Sequence, residues 1–110
     1  MIQKVVDLLS MRNKNVLFLG LWRFDLFPII ETKLRLMGVE GKRKREMPLL
    51  TIFKNGSILR VMHDLDRINL TRIRGCQYDL VLISESIDYY KCKDDIEHLI
   101  LHCEGEIIRE

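Results

Sequence analysis

Residues 78–84 read YDLVLIS and run directly into Glu85 and Ser86. Leu80 to Ile83 form an unbroken apolar run, with Arg74-Gly75 and a short spacer upstream. A continuous run of this length predicts a strand buried on both faces, unlike the alternation of a half-exposed strand. A second run of the same kind, NVLFLGLW at residues 15–22, predicts another buried strand far earlier in the chain. Two such strands with helical periodicity between them predict a layered α/β sheet with flanking helices, partly parallel.

Outward from these strands the remaining elements follow. Ile2, Val5, Val6, Leu8 and Leu9 recur at three- and four-residue spacings, a helix over residues 2–12 closed by Asn13 and Lys14. Asp25 is placed to cap a second helix, with Pro28 in its first turn, Ile29, Ile30, Leu34, Leu36 and Met37 along its buried side, and Gly38 as its stop. Residues 39–47, VEGKRKREM, hold almost no apolar side chains and predict a charged loop. LLTIFKNGSILRVMH, residues 49–63, predicts an inserted β-hairpin turning at Asn55-Gly56, because both residues tolerate positive φ. A two-residue turn pairs Lys54 with Ser57, Phe53 with Ile58 and Ile52 with Leu59. Residues 64–77 predict a basic loop with a helical turn. KDDIEHLILHC, residues 93–103, predicts a last amphipathic helix ended by Gly105, and EIIR a short final strand. Residues 1–110 read as one α/β domain, within the usual domain size of about 100–150 residues.

The composition, 47% hydrophobic and 31% charged, is that of a globular protein. No apolar run approaches the ~18 residues of a membrane span, and MIQKVVDLLSMRNK carries Asp7 where a signal peptide would be apolar. The three cysteines are an odd number at spacings that suggest no disulfide framework, so reduced thiols and a cytoplasmic location are expected. The net charge of +2 conceals an asymmetry: residues 33–74 hold eleven Lys or Arg against four Asp or Glu, and residues 75–110 hold three against nine. Such a gradient can attract a polyanion to one part of the molecule or pair chains head to tail.

The ordered set of elements resembles the P-loop NTPase core, most closely the ATPase domain of viral terminase large subunits and related helicase-like motors. The pieces that carry the resemblance are VLFLGL, the hairpin TIFKNGSILRV, RIRG, Tyr78-Asp79 and LVLISES, in that order across roughly residues 3–104. It implies a nucleotide-driven motor, yet two departures stand against catalysis. No G-x-x-x-x-G-K-[ST] occurs; Gly41-Lys42 lacks both the upstream glycine and the hydroxyl residue. The strand-end Asp of the family, a magnesium partner, is Ser84 here, while Glu85 keeps the position of the water-activating carboxylate. Ser84 and Glu85 are therefore vestigial candidates, ATP hydrolysis is not expected, and no cofactor is expected. The resemblance also implies that the strand carrying the phosphate loop is missing, leaving an open apolar edge along YDLVLIS that invites a second chain. If viral, the chain would act in the host cytoplasm.

The expected function is thus a non-catalytic, P-loop-like viral accessory module that binds nucleic acid or regulates a packaging or helicase motor. The alternative is an assembly domain forming a homo-oligomer through an open sheet edge. For the first, Lys42, Arg43, Lys44 and Arg45, with Arg60, Arg67, Arg72 and Arg74, are the candidate phosphate contacts. No metal site is expected: His98 and His102 share a helix face, but Cys103 points away and Cys92 adds no Cys-x-x-Cys. Cys76 reads as an incidental thiol, and Trp22 and Arg23 lie where strand ends form a crevice, with core packing the favoured role for the tryptophan.

Overall fold

The computed structural model describes residues 1–46, 49–62, 78–87 and 103–109. Helix α1 spans Ile2–Leu9 and strand β1 Asn15–Leu19; helix α2 spans Leu26–Leu36. Strands β2 (Gly41–Glu46), β3 (Leu49–Phe53), β4 (Ile58–Met62), β5 (Tyr78–Ile83) and β6 (Cys103–Arg109) follow. The six strands form one sheet in the order β2-β3-β4-β1-β5-β6. β4, β1, β5 and β6 run parallel, while β2 and β3 add an antiparallel flank. The fold is therefore mixed α/β, with a partly parallel, partly antiparallel sheet and two helices among the described residues.

Strand geometry sends alternate side chains to opposite faces, which here sorts the core. Val16, Phe18, Leu59, Val61, Leu80 and Leu82 face both helices, meeting Val5, Val6 and Leu9 of α1 and Phe27, Ile30 and Leu34 of α2. Phe18 lies edge-on to Phe27 and Trp22 at centroid distances of 5.3 and 5.2 Å, and burying a side chain of this size contributes ~1.5–3 kcal/mol. Leu17, Leu19, Val81 and Ile83 point to the other face and are buried too. Both apolar runs thus lie in strands covered on both sides, as their composition predicts.

Several expectations are corrected. Residues 41–46 are a strand, not a loop: β2 pairs with β3 through a register shift between Arg43 and Arg45. Its pairing rests on backbone bonds and on Arg43, whose guanidinium grips Glu31 of α2 through Nε and Nη2. The hairpin is displaced by one residue, since Ile52 faces Ile58 and Thr51 faces Leu59. The turn is a three-residue loop, with Gly56 donating to the Phe53 carbonyl and Phe53 donating to Ser57. Gly56 alone takes the left-handed conformation, at φ +86°, as in a type I turn closed by a glycine bulge. Asn55 needs no positive φ in such a loop, and its side chain is engaged elsewhere: Nδ2 donates to the Leu9 and Met11 carbonyls, and Oδ1 accepts from Ser57 N–H. Taking those carbonyls also ends α1 at Leu9 instead of residue 12.

Asp25 occupies the N-cap position of α2 without a side-chain capping bond; its carboxylate pairs with Arg23 at 2.8 Å. Gly38 stops the helix at φ +86°. At the far end, β6 begins at Cys103 and contains Gly105, so the final strand is longer than EIIR and the helix does not reach Cys103. The open edge expected along residues 78–84 is absent, because β5 pairs with β1 on one side and β6 on the other. The basic loop at 64–77 and the helix expected over 93–102 lie outside the described residues.

Candidate nucleic-acid interface

Two regions carry the residues singled out by sequence. The first is the carboxyl end of β1 and β5, where ligands gather in open α/β sheets. Ser84 is buried there, and its hydroxyl donates to the Leu21 carbonyl at 2.8 Å. Ser86 Oγ accepts the Leu21 N–H at 2.8 Å, and Ser86 N–H donates back to Ser84 Oγ. Gly20 must be glycine: its φ is +94°, and a Cβ would meet Ser86 Oγ at 2.7 Å and Ser84 Cβ at 2.9 Å. The backbone N–H groups of Gly20, Leu21, Ser84, Ser86 and Ile87 all donate within the protein. A phosphate site needs several such donors free and convergent, and these five are committed. Glu85 stands exposed in the turn after β5. Trp22 closes the core here, resting on Phe18 and donating Nε1–H to the Leu19 carbonyl.

The second region is the face of β2–β3–β4 opposite to α1 and α2. Register fixes its layout. Arg45 lies opposite Leu50, which lies opposite Arg60. In the adjacent row Lys42 lies opposite Ile52, which lies opposite Ile58. Lys44 is the extra residue of the bulge between them. Lys42, Lys44 and Arg45 are exposed and Arg60 is half-buried. At a strand spacing of about 4.8 Å, the two arginines stand roughly 10 Å apart across a strip of aliphatic side chains. Ile52 is 37% exposed in that strip, with Leu50 and Ile58 half-buried on either side.

Arg43 does not share that face. It faces the helices, holds Glu31 in a two-pronged ion pair and reaches Glu46 at 2.9 Å. The Glu31 hydrogen bonds raise its pKa further above the usual arginine range. Thr51, fully buried, donates its hydroxyl to the same carboxylate at 3.0 Å. The structure thus brings together Lys42, Lys44, Arg45 and Arg60, diverts Arg43 to a structural role, and separates all of them from Ser84 and Glu85. Arg67, Arg72, Arg74, Cys76, Cys92, His98 and His102 lie outside the described residues. Sequence reasoning missed Leu50, Ile52 and Ile58 as surface residues; the one-residue hairpin shift is what hid their common face.

Among the described residues no cluster of three His, Cys, Asp or Glu side chains is arranged to hold a metal, and no helix is long and apolar enough to cross a membrane. Comparison with protein-family models, curated proteins and solved structures returned no match.

Proposed function

We infer that this chain is a non-catalytic, P-loop-like accessory module, of the kind associated with viral packaging and helicase-like motors, that holds a nucleic-acid backbone on the outer face of β2–β3–β4. The observation that carries the reading is the group of exposed cations Lys42, Lys44 and Arg45 on one edge strand, with Arg60 across the same face. Cations so arranged neutralise phosphates and release counterions, which gives affinity without sequence preference. The motor-like ancestry is supported by the block of parallel strands, by the hairpin between β1 and β5, and by the strand ending at Ser84-Glu85 inside the sheet. The lack of catalysis is supported by the committed N–H groups around Gly20 and Ser84, and by a Ser84 hydroxyl already bonded to Leu21.

The test is the affinity of a labelled oligonucleotide for the wild type, Arg45→Glu and Arg12→Glu, measured by fluorescence anisotropy. Arg12 is exposed just beyond α1 and is not part of β2, β3 or β4, and its reversal changes net charge by the same amount. The reading expects Arg45→Glu to weaken binding several times more than Arg12→Glu. Equal effects would reduce the attraction to net charge alone and remove the site.

Edge-to-edge assembly is the competing reading, favoured by one placement: basic β2 and β6, with Glu104 and Glu106 in its sequence, are opposite ends of the sheet. Such a contact is head-to-tail and builds rings or open chains. Against it, the bulge and lysines of β2 are the devices that blunt an edge against pairing. Sedimentation that stays monomeric as concentration rises would eliminate it.

A further inference from the structure

The outer face of β2–β3–β4 is more than a row of charges. Its cations lie beside an aliphatic strip, and Ile52 at the centre remains 37% exposed. Lys42 is the direct cross-strand neighbour of Ile52, and Arg45 that of Leu50. A surface that gripped only the outside of a duplex would gain nothing from an exposed isoleucine between its cations. A single strand presents both chemistries at once, phosphates along one side and flat apolar base faces along the other.

We propose that this face takes single-stranded nucleic acid, with the sugar-phosphate chain following Lys42, Lys44 and Arg45 and bases lying over Ile52, Leu50 and Ile58. The inference rests on the reading of this face as a nucleic-acid surface and adds the form of the ligand. Charge complementarity selects a polyanion, and the neighbouring aliphatic strip selects one with its bases unpaired. A cationic groove beside a platform for base faces is the general solution for sequence-tolerant single-strand binding. Here the platform is aliphatic, so base contact adds less than an aromatic ring would.

The test uses the full chain and three labelled probes of about twelve nucleotides: an oligothymidylate single strand, a blunt duplex and an abasic strand with the same backbone. The single strand is expected to bind tightest. Ile52→Thr, which keeps a β-branched side chain, should lower single-strand affinity and leave the abasic strand unaffected. Ile52→Trp should raise single-strand affinity by about three- to tenfold, again without change for the abasic strand. A gain of this kind cannot come from misfolding. Duplex or abasic probes bound as tightly as the single strand, or an Ile52→Trp variant with unaltered affinity, would overturn the inference while leaving the backbone reading standing. No binding to any of the three would remove both, and would turn attention to an acidic protein surface as the partner of Lys42, Lys44 and Arg45.

Discussion

Asn55 shows how much one side chain can decide. Its amide joins the end of α1 to the hairpin through three hydrogen bonds, two from Nδ2 to the Leu9 and Met11 carbonyls and one from Ser57 N–H to Oδ1. Asn55→Ala removes the side-chain donor of the Leu9 carbonyl, while the Met11 carbonyl keeps the Ser57 hydroxyl, and a loss of about 1–3 kcal/mol is expected from chemical denaturation. Asn-Gly in this context signals a two-residue turn from sequence; only the folded chain reveals that α1 lies close enough to recruit the asparagine. Ser84 is decided in the same way. As a residue type it reads as a weakened magnesium partner, but its hydroxyl is a donor spent on Leu21. An ionised carboxylate accepts but does not donate, so Ser84→Asp sets like partial charges against each other in a buried site. That variant should be less stable than the wild type by about 1–3 kcal/mol and should gain no affinity for ATP with magnesium. Titration calorimetry on both proteins checks the second half of that expectation.

At the scale of elements, β2 is where sequence and structure diverge most usefully. GKRKRE has no apolar alternation and no β-branched residue, so nothing in its composition announces a strand. Besides its backbone pairing with β3, the Arg43–Glu31 ion pair, with Thr51 bonded to the same carboxylate, ties the edge to α2. A long-range contact of this kind has no local signature. Breaking it should release the edge alone: in Glu31→Ala, amide exchange of residues 41–46 should quicken while β1 and β5 keep their protection. An unchanged β2 would mean that backbone pairing with β3 suffices. The buried strands behave differently. NVLFLGLW and YDLVLIS were legible because burial on both faces demands a continuous apolar run, and both helices were legible from period and from Gly38. EIIR falls short of the final strand because Gly105 reads as a helix stop, whereas in β6 it continues the strand. The basic cluster was legible as charge, but its division into Arg43 inward and Lys42 and Arg45 outward depends on pairing register.

For the whole molecule, the layout separates two ends that the motor resemblance would unite. The parallel strands finish at Gly20 and Ser84 in a closed serine-bonded junction, while the cations collect on the antiparallel flank. A catalytic motor needs its nucleotide grip open; a passive nucleic-acid module needs only the flank. On the proposed reading, β2–β3–β4 binds a phosphate backbone through a small number of defined cations. The most direct measurement is the slope of log affinity against log salt for a labelled oligonucleotide, for the wild type and for Lys42→Ala/Arg45→Ala. The account predicts a slope near that of about three phosphate contacts for the wild type, shallower by about two contacts in the double variant. A wild-type affinity indifferent to salt, or an identical slope in the two proteins, would contradict it.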